Sequence, residues 1–174
     1  MNNMERMREK EKLLTYEEVK EMFDYDLEKG ILIWKTRPVN SKYLIGTIAG
    51  WINKSSGYVL VKVKRKHYSS HRVIWLWMTG KWPENQIDHI NGIRNDNRFC
   101  NLREATSSQN NANKSKRNST GYKGIKKCKN HNKWESRIKI NGKNAYLGSY
   151  DTPEEAHAAY VAKAKELFGE YAKV

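Results

Sequence analysis

The chain has 174 residues, with 33 Lys+Arg against 19 Asp+Glu, a formal net charge of +14 and a pI near 9.7. That length admits one domain or two small ones, and no run reaches the roughly eighteen or more apolar residues of a membrane span. Cys100 and Cys128 are too few for a disulfide framework, and the charged start MNNMERMREKEKLL lacks the apolar centre of an export signal, so a soluble, cytoplasmic protein is expected.

The charge is patterned. From Lys29 to Pro83 there are eleven basic residues and no acid, and from Lys114 to Ser149 eleven basic residues against Glu135 alone. Most acids fall in residues 1–28 and in the last helix. A generically soluble basic surface would mix its signs, whereas segregated positive stretches point to a nucleic-acid partner.

In chain order, the segment to about Leu14 is charged with poor amphipathic spacing; it is expected to fray and carries no assigned role. Thr15 with Glu18 forms a capping box for a short helix, Tyr16 to Phe23, whose Val19, Met22 and Phe23 make an apolar stripe. Strand-like runs follow at 30–34, 46–52 and 58–64, the last two bracketing a hairpin loop at 53–57. The alternation in 58–64 buries one face and offers Lys62, Lys64 and Lys66 on the other, for contact with backbone phosphates. His71 to Met78 reads as a helix ended by Gly80, with Val73, Leu76 and Trp77 inward, and Trp82-Pro83 makes a turn. His67, His131 and His157 read as solvated.

The stretch 88–110, DHINGIRNDNRFCNLREATSSQN, carries the chemistry. Its Asn-Gly, Asn-Asp and Asp-Asn steps are ordinary turn formers, and a lone Asp-His pair is usually a surface hydrogen bond. The same side chains are those that phosphodiester hydrolysis uses. A carboxylate holds a hard divalent cation, an imidazole takes a proton from water near neutral pH, and an amide oxygen completes a metal shell or orients the imidazole.

In register, Asp88-His89, the turn-rich loop, Asn101-Leu102-Arg103 and Asn110 closely resemble the HNH endonucleases, in particular the free-standing phage and intron homing type. The likeness covers the middle of the chain and is weaker upstream through His71-Arg72. It implies a ββα-metal unit: a first strand at 86–89, a crossing loop at 91–98, a return at 101–103, and a helix capped by Thr106 or Ser107 that carries Asn110. It implies further that Asp88 and Asn110 bind one magnesium ion, with manganese as an alternative, and that His89 is the general base. Asn101 would hold the strand pair and the His89 ring, the products would be a 5′-phosphate and a 3′-hydroxyl, and no structural zinc is expected. His71 reads as a packing or substrate-side residue rather than a ligand. Arg72, Arg94, Arg98 and Arg103 are expected on DNA, and a phage origin would place the protein in the host cytoplasm.

Residues 114–120 form a polar, basic linker whose Lys116 and Arg117 would lie along DNA. Beyond it, strands are expected at 122–127, 134–140 and 143–148, with a type I′ turn at Asn141-Gly142. Thr152-Pro153-Glu154-Glu155 opens a helix whose Ala156, Ala159, Tyr160, Ala164 and Leu167 share a stripe. The pattern Gly-Tyr-Lys-Gly-Ile, Trp134, Tyr146-Leu147-Gly148 and Asp151 to Ala156 resembles the plant Apetala-two/ethylene-response-factor domain, in which such a sheet enters the major groove. Lys123, Lys126, Arg137, Lys139 and Tyr146 match positions that face DNA there.

The fold class expected is α+β: a central ββα-metal HNH unit, preceded by a small helix-plus-antiparallel-strand region and followed by a three-stranded antiparallel sheet packed on one helix. The domains are 1–66, an N-terminal helix and basic hairpin region; 67–113, the nuclease; 114–120, the linker; and 121–174, the DNA-binding sheet. The function expected is a site-selective, monomeric or dimeric DNA endonuclease. The alternatives are a DNA-binding regulator with an inert HNH unit, and an RNA-binding protein.

Overall fold

A computed structural model describes residues 3–37, 43–114, 120–129 and 131–173, so Lys116 and Arg117, with most of the expected linker, lie outside the described residues. The chain divides into two compact units, Met1–Glu104 and Ala105–Val174. No helix among the described residues is long and apolar enough to cross a membrane.

The segment expected to fray is a helix, α1 (Asn3–Glu11), and it is fastened at its C-terminal end. Glu11 and Leu14 are buried, and the Glu11 carboxylate receives two hydrogen bonds from the Arg72 guanidinium, at 2.6 and 3.0 Å. Arg72 also donates to the carbonyls of Pro83 and Asn85. Arg72 is therefore not an exposed DNA contact: its side chain is 5 % accessible, and its donors are committed to the interior.

The capping box of Thr15 and Glu18 starts α2 (Tyr16–Met22) as the spacing predicts. Phe23 does not continue the helix but opens β1 (Phe23–Asp26), which pairs with β2 (Ile31–Trp34). Asp24 and Asp26 are poor strand formers and hid this strand, yet its alternate residues Phe23 and Tyr25 are buried. The hairpin turn ends at Gly30, with φ +69, where a Cβ would lie 2.3 Å from the backbone nitrogen of Arg98. Only glycine lets the turn seat so closely on that loop.

The run expected as one strand at 46–52 breaks at Gly50, with φ +116, into β3 (Ile48–Ala49) and β4 (Trp51–Ile52). β3 pairs with β2, and β4 pairs with β5 (Val59–Val63). A two-residue turn at Lys64-Arg65, both with positive φ, returns the chain as β6 (Lys66–Ser69), a strand the spacing did not predict. Lys62, Lys64 and Lys66 consequently do not share one face. Lys62 stands opposite His67 on the exposed side, Lys64 occupies the turn and pairs with Glu18, and Lys66 stands opposite buried Val63 on the other side.

Helix α3 (Ser70–Thr79) follows and stops at Gly80 in a left-handed C-cap. Val73, Ile74 and Leu76 join Phe23, Trp34, Val61 and Tyr68 in the first core. β7 (Gln86–His89) and β8 (Leu102–Ala105) then form a two-stranded sheet, joined through a loop and a 3-10 turn at Phe99–Asn101.

In the second unit, α4 (Ser107–Asn113) carries a capping box of Thr106 and Gln109. β9 (Ile125–Lys127), β10 (Trp134–Ile140) and β11 (Lys143–Tyr150) form an antiparallel sheet ordered β11-β10-β9. α5 (Pro153–Phe168) packs on it through Ala156, Tyr160, Ala164 and Phe168; Phe168, not Leu167, completes the buried stripe. Ala112 of α4 enters this second core beside Ile138 and Tyr160. The boundary expected between 113 and 114 thus moves to 104/105, because α4 shares its core with the C-terminal sheet.

Candidate nuclease site

Asp88 and His89 end β7, and both are buried. A carboxylate so placed needs a cation nearby, because an unpaired charge out of water is costly. Arg103, on the neighbouring strand β8, supplies one, its guanidinium reaching Asp88 Oδ2 at 3.1 Å. Arg103 is itself mostly buried, so the structure gives it to Asp88 rather than to an exposed DNA face.

The ring of His89 is held by a residue that sequence reasoning missed. Asn97 Oδ1 lies 2.9 Å from His89 Nε2, and Asn97 is 2 % exposed. An amide oxygen only accepts, so the Nε2–H donates to it and the contact fixes the orientation of the ring. Burial pushes the His89 pKa below its ordinary value, against the Asn97 hydrogen bond and the Asp88 charge, which raise it.

Asn101, expected to hold the strand pair and the His89 ring, bonds across the strand pair and to the loop, while the ring's hydrogen bond goes to Asn97. Asn101 Oδ1 accepts from the Asn91 backbone at 2.9 Å, and its Nδ2 donates to Asn91 Oδ1 and to the Asp96 carbonyl. Its own carbonyl accepts from Ile90 N across the strand pair. Asn101 thus knits the loop together, and the loop presents Asn97. A second brace comes from the N-terminal hairpin: the Tyr25 hydroxyl donates to the Asn97 carbonyl and accepts from Phe99 N, both at 2.9 Å. A repeated Asn in a turn-rich loop gives no sequence signal for which amide faces the histidine.

Around His89 stand His71, edge-on at 5.2 Å between ring centroids, and Tyr58, at 5.8 Å. Arg94 lies over the Tyr58 ring and donates to the Ser56 carbonyl, tying the motif loop to the loop at 53–57. Arg98 is exposed and forms a two-pronged pair with Asp96, which holds that carboxyl down at about 2. Asn110, on α4, belongs to the second unit.

His71 is buried, and its Nδ1 has no hydrogen-bond partner among the described residues. Desolvation first, then the neighbouring His89 and Arg72, push its pKa down to about 3. The unfolded chain takes up this proton near pH 6.5 while the folded chain refuses it until about 3, so stability is lost as pH falls across that window. The slope for one such group is about 1.4 kcal/mol per pH unit. Urea midpoints between pH 6.5 and 4.5 should fall with pH and fall less steeply in His71→Leu; parallel lines for the two proteins would remove His71 as the cause.

In the second unit, β10 turns Ser136 and Ile138 inward and leaves Arg137 and Lys139 exposed. Arg137 stands opposite exposed Tyr146, Lys139 opposite Asn144, and Lys126 opposite Glu135, which pairs with Arg137 at 2.7 Å. Lys123 departs from this face. Its ammonium donates to the carbonyls of Ala112 and Lys173, so it is committed inside the unit.

Among the described residues, no three His, Cys, Asp or Glu side chains come together as a closed cation cage. The oxygen donors of the motif suit a hard divalent ion that keeps much of its water. Residues 68–112 match the family described as HNH endonuclease. The chain is also 36 % identical, over 137 residues, to a protein of Acanthamoeba polyphaga mimivirus named "Uncharacterized HNH endonuclease L560", the match covering 78 % of this chain and 68 % of that one. With the Asp88-His89 pair, the Asn101-braced loop and this relative in agreement, the chain belongs to the HNH endonuclease family.

Proposed function

We propose that this endonuclease hydrolyses phosphodiester bonds of double-stranded DNA with one divalent cation, magnesium or manganese, in the manner of a site-selective homing enzyme. The observation that carries the reading is the buried His89, its ring fixed through Nε2 by Asn97 and standing one residue from the Asp88 carboxylate. Asp88 and Asn110 would hold the ion, which when bound offsets the charge that develops on the phosphate and the leaving 3′-oxygen. His89 takes the proton of the attacking water, leaving a 5′-phosphate and a 3′-hydroxyl. Asn101 keeps the loop in the shape that presents Asn97, and Arg103 keeps the Asp88 carboxylate in place. Whether one strand or both are cut follows from the number of sites engaged: one site cuts one strand.

Of the cations expected on DNA, Lys62, Lys66, Arg98, Lys126, Arg137 and Lys139 are exposed and are the DNA contacts of this reading, with Tyr146 beside Arg137. The sheet of the second unit would read a groove in the way the ethylene-response-factor resemblance implies. Phosphate contacts release counterions, so binding should weaken steeply with salt. The test is conversion of supercoiled plasmid to nicked or linear forms. Cleavage with magnesium that chelator abolishes, and that manganese restores, is expected. Tight duplex binding with no cleavage under any divalent ion would overturn the reading in favour of a regulator with an inert nuclease unit.

A further inference from the structure

The C-terminal sheet and helix are expected from sequence to serve targeting alone. The helix that carries Asn110 is nonetheless built into their core. Ala112 is buried among Ile138, Tyr160, Ala164 and Phe168. The Ala112 carbonyl, at the end of α4, receives both the Lys123 ammonium and the backbone N–H of Lys173. Lys123 also donates to the Lys173 carbonyl at 2.9 Å, and its ammonium lies 5.9 Å from the centroid of the Tyr160 ring. At the other end of α4, Ser108 Oγ meets Asn141 Oδ1 at 3.3 Å, so the β10–β11 turn touches the helix too. A cation on the last carbonyls of a helix also complements its dipole. A seven-residue helix is too short to hold its shape alone, so these contacts set where its side chains stand.

We infer that Lys123 is a positioning residue for Asn110, acting through α4. The inference rests on the reading of Asn110 as a metal ligand. It differs from the sequence expectation, in which Lys123 touches DNA.

The two roles separate experimentally. In the full-length protein bound to a duplex, Mn²⁺ affinity is read from the electron paramagnetic resonance signal of the free ion, and duplex affinity from fluorescence anisotropy without metal. Lys123→Met should weaken Mn²⁺ binding by about tenfold, the lower end of what loss of a supporting contact costs a metal site. It should leave duplex affinity within about twofold and reduce amide exchange protection across α4, and Lys123→Arg should recover most of the metal affinity. Asn141→Gly is the milder variant should Lys123→Met fail to fold: glycine accepts the positive φ of that turn position, and only the Ser108 contact is lost. It should weaken Mn²⁺ binding in the same direction.

Unchanged Mn²⁺ affinity in both variants, with wild-type binding intact and abolished by Asn110→Ala, would overturn this inference alone. Loss of duplex affinity with metal binding unmoved would return Lys123 to the DNA face. Wild-type Mn²⁺ binding that Asn110→Ala leaves untouched would sink the metal assignment and this inference with it.

Discussion

His89→Ala should lower the single-turnover rate of cleavage by about two to four orders of magnitude, the range a positioned general base contributes. Duplex affinity in the absence of metal should stay within about twofold, because the imidazole is buried and phosphate contacts made elsewhere dominate binding. Asn97→Ala should lower the rate by about 10- to 100-fold, the usual effect of removing a residue that orients a functional side chain. The reasoning is geometric: without the oxygen at Nε2, the ring no longer has a fixed tautomer or orientation. The acid limb of the rate should fall at a pH below the ordinary histidine value, since burial lowers the His89 pKa and the neutral ring is the active form. A His89→Ala enzyme that cuts at the wild-type rate would remove the residue from the role of base. An acid limb that leaves cleavage half-maximal above pH 6.5 would show that the controlling group is not a histidine depressed by burial.

What could be read in advance follows from what sequence encodes locally. The capping boxes at Thr15 and Thr152, the left-handed stop at Gly80 and the turn at Asn141-Gly142 are all set by neighbours within a few residues, and all stand in the structure. The motif stretch was legible because its side chains stand in the register of the HNH pattern, which the family match over residues 68–112 bears out. The rest depends on partners far along the chain. Glu11 and Arg72 are 61 residues apart, Tyr25 and Asn97 are 72 apart, and neither pair leaves a periodic trace. The basic residues show the same limit. Charge says that cations are present; only packing says that Arg72, Arg103 and Lys123 spend theirs on a carboxylate or on carbonyls while Lys62 and Lys139 face outward.

Breaking the Glu11–Arg72 pair should be the most damaging change for stability. Glu11→Ala leaves a guanidinium in the interior without its carboxylate, and removal of one partner of a buried pair costs about 3 to 5 kcal/mol. For a protein of this length that lowers the thermal midpoint by about 10 °C. Glu11→Leu combined with Arg72→Met should recover much of the loss, because an apolar pair of similar volume avoids the desolvation penalty altogether. Arg72 sits one residue after His71 at the start of α3, so its position also reads as a DNA contact from sequence, and the two roles give opposite results. A phosphate-contacting arginine, once removed, weakens duplex binding and reduces the salt slope by about one while stability hardly moves. Arg72 in its observed place should do the reverse: the urea midpoint of Arg72→Met falls, while the salt dependence of binding by the protein that remains folded stays as it was. An unmoved midpoint with a shallower salt slope would mean that the ion pair to α1 does not hold the first unit together.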